Sequence, residues 1–154
     1  MLLIILLAVI LAGAGCLGTK PAEDNTTAPP AMLVDYHRTG GIAGLNDRLV
    51  IFDNGVAVIS GKSSSSVVTL NATDLALIAV LFNQSDFAQL QANYSAPRGT
   101  ADLITYTISY RGKTVTAAET STPPALKVVI DRLNQIINRA GPQRSIYPTI
   151  RITS

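Results

Sequence analysis

Two periodicities divide this chain. Between Met32 and Ala118 apolar residues tend to recur at every second position, and beyond Thr122 they recur at every third and fourth. Met32, Val34 and Tyr36 alternate with Asp35 and His37, which predicts a first strand over 32–37. A second strand is expected over Asp47–Phe52, and Asp53-Asn54-Gly55 supplies the hairpin chemistry that leads into a third over Val56–Ser60. The serine run Ser63–Ser66 reads as a flexible connection. Asn71 then opens a helix, with Asp74 completing an imperfect capping box and Leu75, Ile78, Leu81 and Phe82 forming the apolar stripe. That helix should fray near Asn83. Ser85–Leu90 predicts one further turn that sets Phe87 and Leu90 against the core, and Ser95–Gly99 predicts a loop.

The second half repeats the scheme more cleanly. Ile104, Tyr106, Ile108 and Tyr110 alternate with Thr105, Thr107 and Ser109, which gives a strand over Leu103–Tyr110 with one buried and one wet face. Arg111-Gly112-Lys113 turns the chain, and Thr114–Ala118 returns with Val115 and Ala117 inward. Thr122 is expected to cap a last helix with Pro123 in its first turn. Leu126, Val129, Ile130, Leu133, Ile136 and Ile137 form its buried stripe, and Lys127, Asp131, Arg132, Asn134, Gln135 and Arg139 a solvated face. Gly141-Pro142 stops it. The order β-β-β-α-β-β-α predicts an α+β domain: an antiparallel sheet of about five strands, with two main helices packed on one face.

Outside this domain the composition changes. Met1–Gly15 is almost unbroken apolar sequence, too short for the ~20 residues of a membrane-spanning helix, and it runs into Ala12-Gly13-Ala14-Gly15-Cys16. It reads as an export signal. Small residues before a cysteine resemble the lipobox of bacterial and archaeal lipoproteins, in which the cysteine is lipidated and becomes the new N-terminus. Cys16 is the single cysteine of the 154 residues, and lipidation would leave no reactive thiol on an exported protein. An ordinary signal peptide cleaved elsewhere and an uncleaved N-terminal anchor fit the same segment. Residues 17–31 are rich in Thr, Pro, Ala and acidic side chains and read as a disordered tether, followed by the domain over 32–141 and a C-terminal tail over 142–154. In the tail only Ile146, Ile150 and Ile152 alternate, and weakly. The expected location is the outer face of a bacterial or archaeal cell membrane.

Charge and reactive residues narrow the function classes. The net charge is +2, only 14% of residues are charged, and the basic ones are scattered. Nucleic acid needs a concentrated basic face and is not an expected partner. His37 is the single histidine, which makes a histidine zinc site, a Ser-His-Asp triad and a Cys-His pair all hard to build, and lipidation of Cys16 would leave no thiol. No catalytic residue, metal ligand or cofactor is assigned. Asp35, Asp47 and Asp53 read as surface charges. Gly55–Ser63 resembles a phosphate-binding loop only superficially, because its spacing is one residue too long and its centre, Val56–Ile59, is a strand. Four sequons occur, at Asn25, Asn71, Asn83 and Asn93. Asn25 in the tether is the glycosylation candidate, whereas Asn71 is better explained as a helix cap.

The residues left to explain are Arg38-Thr39-Gly40-Gly41-Ile42-Ala43-Gly44-Leu45, between the first two strands. Glycine permits positive φ and close backbone approach at an entropic cost. Three glycines around Ile42 and Ala43 fit a plain hairpin turn, and equally a shaped loop that presents small apolar groups to a partner.

This segment resembles the signature of the emfourin family, small proteinaceous inhibitors of thermolysin-like metallopeptidases such as protealysin. Phe87-Ala88-Gln89-Leu90, Tyr106-Thr107-Ile108 and Thr122-Pro123-Pro124-Ala125-Leu126 are similar to further elements of that family, in the same order. The likeness extends from about Val34 to Ile137. Departures are the lipoprotein-like leader and the inserted Asp53-Asn54-Gly55 hairpin with its serine-rich connection. The resemblance implies a proteinaceous inhibitor of thermolysin-like metallopeptidases, a binding module without enzymatic activity, which the leader would tether to the surface. Its partner-binding residues would be Arg38, Thr39, Gly40, Gly41, Ile42, Ala43, Gly44 and Leu45, of which the Gly40–Leu45 loop would enter a peptidase cleft with Ile42 or Leu45 in an apolar subsite; contact of His37 or Asp35 with the enzyme's zinc is a further implication. The competing class is a cell-envelope lipoprotein with a structural or protein-interaction role and no inhibition.

Overall fold

Strand β1 (Met32–Gly40) lies in the middle of a single sheet in the computed structural model, which describes residues 28–140. The chain continues through β2 (Leu45–Phe52), β3 (Val56–Ser60), β4 (Ser65–Thr69), helix α1 (Ala72–Gln84), β5 (Asn93–Tyr94), β6 (Ile104–Tyr110), β7 (Lys113–Ala118) and helix α2 (Pro124–Ala140). The sheet order is β4-β3-β2-β1-β6-β7-β5. The α+β class is as expected from the sequence, but the sheet has seven strands, and it is mixed, because β5 runs parallel to β7. The two extra strands occupy the two edges. An edge strand needs one partner and can be short and polar, so neither left the alternation that marks an inner strand. The expected flexible connection at Ser63–Ser66 thus ends as the start of β4, where Ser66 pairs with Ile59 and Ser65 with Ser60.

One sheet face carries the core. Val34 and Tyr36 of β1 stand opposite Ile51 and Leu49 on one side and Tyr110 and Ile108 on the other, and all six are buried. Both helices cover this face: Phe82 of α1 stacks on Tyr110 with ring centroids 3.9 Å apart, and the Tyr36 hydroxyl donates to Asn134 Oδ1 of α2 at 2.9 Å. Each fully buried aliphatic side chain contributes about 1.5–3 kcal/mol through removal from water. The opposite face, with Asp35, Arg48, Val50, Val58 and Thr107, has no layer over it among the described residues.

Local chemistry explains most boundaries. The Asn71 side chain accepts from the Asp74 N–H at 2.8 Å and caps α1, the role its sequence position predicted. At the other helix the expectation shifts by one residue. Thr122 Oγ1 donates back to the Ala118 carbonyl at 2.9 Å and does not cap α2, whose first residue is Pro124. Two successive prolines remove two N–H groups that would otherwise be orphaned there, so a side-chain cap has less to satisfy. The polar face of α2 also differs from a simple solvated surface. Arg132 is mostly buried and paired with Asp74 of α1, and Asn134 is half-buried against β1.

Cys16, Asn25 and the leader lie outside the described residues, as do the tether up to Thr27 and the segment from Gly141 to the end. The tether boundary moves inward: Asp53 N donates to the Ala31 carbonyl at 2.9 Å and Asp53 Oδ1 accepts from Ala31 N at 3.1 Å, so Ala31 belongs to the domain. Among the described residues no helix is long and apolar enough to cross a membrane.

Candidate functional site

Gly40 and Leu45 form the last pair of the β1–β2 ladder, and Gly41–Gly44 turn the chain between them. The segment is therefore a hairpin turn and an exposed one. Gly44 N donates to the Gly41 carbonyl at 2.8 Å and closes the turn, while Gly40, Gly41 and Gly44 take φ values of 91°, 71° and 55°. Positive φ at three positions is what the glycines supply, since a side chain there would meet the following carbonyl.

The tip is fixed from one side. Gly41 N donates to the Leu103 carbonyl at 3.1 Å, which ties the hairpin to the residue just before β6. Gly40 permits this contact, because a Cβ at that position would lie 2.5 Å from the same oxygen. On the other side the turn meets the β3–β4 connection, where Lys62 Nζ stands 3.0 Å from the position of a Cβ on Gly44.

The eight predicted residues divide by what they face. Ile42 is 94% exposed and Ala43 is exposed beside it, so these two form the tip. Leu45 is half-buried in the ladder opposite Gly40, which leaves Ile42 as the presented large apolar group. Thr39 pairs with Asn46 and Thr105 within the sheet. Arg38 points to the helical side, where Nε donates to Asp47 Oδ2 at 2.8 Å and Nη1 donates to Asn134 Oδ1 at 2.8 Å. With a side chain only 15% exposed, it braces the base of the hairpin and presents little surface to solvent. Asn134 Oδ1 thus serves two donors, Tyr36 and Arg38. Burial pushes the Tyr36 phenol above the ordinary tyrosine range, and it raises Tyr106 as well.

The sequence carried no signal for Leu103 or Asn134. Both act through the backbone or a neutral amide, and both stand far along the chain from the hairpin they hold. Asp35, Asp47 and Asp53 occupy three separate places: Asp35 takes both Arg48 contacts on the open sheet face, Asp47 takes Arg38 on the helical side, and Asp53 sits in the β2–β3 turn. The bidentate Asp35 carboxylate holds Arg48 more firmly protonated than usual. His37 Nε2 and Asn46 Oδ1 lie 2.9 Å apart on the open face. Asp35 and His37 thus each have a side-chain partner on the adjacent strand β2. Among the described residues no group of three or more His, Cys, Asp or Glu side chains converges on a point that could hold a metal ion.

No protein-family model matches this chain, and no curated protein matches it. The emfourin likeness rests on the motif residues alone.

Proposed function

We propose that the chain is a surface-tethered binding module that inhibits thermolysin-like metallopeptidases through the tip of the β1–β2 hairpin. The observation that carries this reading is the near-complete exposure of Ile42 on a turn whose backbone is held at both ends. An isoleucine costs free energy in water, and a turn that offers one at its apex, braced by Gly41–Leu103 and Gly41–Gly44 hydrogen bonds, is suited to an apolar pocket in a partner. Ile42 would fill the apolar subsite next to the scissile position. The braced turn would resist cleavage, because the hydrogen bonds that close it hold the chain away from the extended geometry that hydrolysis needs. Lipidation at Cys16, or a retained N-terminal segment, would keep the module at the outer membrane face.

The test is a titration of the full chain against thermolysin, with Ile42→Asp and Gly41→Ala as comparison variants. Dose-dependent inhibition that Ile42→Asp removes is the expected result. Absence of inhibition at micromolar protein sinks the inhibitor reading and leaves the envelope-lipoprotein class; inhibition unchanged by both variants moves the contact away from the hairpin. For the anchor, Cys16→Ser should release the protein from membranes.

A further inference from the structure

Lys62 stands beside the hairpin tip. Strand β3 runs antiparallel to β2 and ends at Ser60, opposite Arg48, so the turn that follows it projects from the same end of the sheet as the β1–β2 hairpin. Gly61 N donates to the Ser64 carbonyl at 2.8 Å and closes this second turn. Lys62 Nζ lies 3.0 Å from the point where a Cβ on Gly44 would be, so the absent side chain at position 44 leaves room for the ammonium against the hairpin backbone. Lys62 is exposed, and among the described residues it takes part in no ion pair.

Asp47, Asp102 and Glu119 lie toward this end of the sheet and leave that charge uncancelled. Asp47 is held by Arg38 at 2.8 Å, and the pair is neutral as a unit. Asp102 precedes Leu103 on the other flank of the hairpin; β1 and β2 separate β3 from β6, which puts three strand spacings, about 14 Å, between the two flanks. Glu119 follows β7, one strand further out. Exposed charges are largely screened from one another beyond about 8 Å at physiological salt. The hairpin therefore offers an apolar apex at Ile42 with a free ammonium on its β3 shoulder.

We infer that Lys62 is a specificity-determining residue of the recognition surface, and that the partner's cleft carries a carboxylate at the rim of the apolar subsite that takes Ile42. This rests on the inhibitor reading above and narrows it to peptidases with an acidic rim on the side facing the β3–β4 turn. The argument is one of desolvation. Because Nζ sits against Gly44, within the turn itself, a cleft deep enough to take Gly40–Leu45 also covers the ammonium. An unpaired ammonium taken from water opposes binding more strongly than burial of one isoleucine favours it, and a carboxylate opposite it reverses that balance. The ammonium also sets the direction of docking, since a hairpin turned about its own axis would carry Lys62 to the other wall of the cleft. Ile42 supplies burial; Lys62 supplies encounter rate and choice of partner, the quantities on which a charge at the rim of an interface acts most.

The experiment measures the association rate and inhibition constant of the full chain against thermolysin at low and high salt. Lys62→Glu should slow association about five- to tenfold at about 0.02 M salt, and the difference should shrink to less than about twofold at about 0.5 M. Lys62→Met, which removes the charge and keeps the length, should slow it about two- to threefold, and Lys62→Arg should restore the rate. Lys113→Glu changes the net charge by the same amount, but Lys113 opens β7 at the opposite end of the sheet, so its effect should stay below about 1.5-fold. Equal slowing by Lys62→Glu and Lys113→Glu overturns the inference, because net charge alone would then account for the rate. Tighter inhibition by Lys62→Met overturns it as well, since the cleft would then cover the ammonium without a carboxylate to meet it. In either case loss of inhibition in Ile42→Asp keeps the inhibitor reading standing, whereas absence of inhibition by the unaltered chain overturns both.

Discussion

The Gly40 backbone approaches Leu103 so closely that a Cβ on Gly40 would stand 2.5 Å from the Leu103 carbonyl oxygen. No rotation relieves such a contact, because both partners are backbone. Gly40 also holds φ at 91°, so Gly40→Ala should cost about 2–4 kcal/mol. Gly41→Ala meets only the Ile104 side chain, at 3.0 Å, and should cost about 1–2 kcal/mol. Gly44→Ala meets the mobile end of Lys62 and should cost about 1 kcal/mol, mostly from its positive φ. Urea denaturation should rank the three in that order; a Gly44 variant weaker than the Gly40 variant would contradict the backbone contact.

Ile42 should separate binding from folding. At 94% exposure it contributes little to the core, so Ile42→Asp should shift unfolding by no more than about 0.5 kcal/mol. If the tip is the anchor in a peptidase cleft, the same change should raise the inhibition constant roughly 30-fold or more, the equivalent of about 2 kcal/mol. Parallel melting and inhibition curves on one preparation decide the matter.

Asn134 joins α2 to the base of the hairpin. Its Oδ1 accepts from the Tyr36 hydroxyl at 2.9 Å and from Arg38 at 2.8 Å, so Asn134→Ala strands two donors at once. A loss of about 2–3 kcal/mol is expected. In a double-mutant cycle, Tyr36→Phe should cost less in the Asn134→Ala background than alone, because its acceptor is already gone.

Alkaline pH should weaken the fold through Tyr36. Burial raises its phenol above the ordinary pKa of about 10, so the folded chain keeps a proton that the unfolded chain releases. This contribution is complete below the unfolded value and is lost as pH rises above it. Stability measured by urea between about pH 9 and 11 should therefore fall, and the fall should be shallower in Tyr36→Phe. Tyr106 acts in the same direction, but its greater exposure makes it a minor contributor.

Two ion pairs predict losses of different size. Arg132, 11% exposed, links α2 to Asp74 in the first turn of α1, whereas Arg48, 53% exposed, meets Asp35 on the open face. Asp74→Ala leaves a buried guanidinium without its carboxylate and should cost about 3 kcal/mol, while Arg48→Ala should cost less than about 1 kcal/mol. Similar thermal shifts for the two variants would show that burial does not distinguish them.

The sequence by itself determined the strand alternation of Val34–Tyr36 and Ile104–Tyr110, the stripe from Leu126 to Ile137 and the cap at Asn71, and hence the α+β class. Each of these is local: a period of two or 3.6 residues, or one side chain bonding within its own turn. Position in the sheet is not local. That Ser65–Thr69 closes one edge, that Asn93–Tyr94 lies parallel to β7 at the other, and that β1 is central follow from which strands find partners, and short polar edges leave no periodic trace. The hairpin shows the same division. Its glycines marked a turn with positive φ, but only the tertiary structure separated Ile42 at the tip from Arg38 at the base. It did so because a hydrogen bond from Gly41 to Leu103 and another from Arg38 to Asn134 join residues that are distant in the chain and adjacent in space.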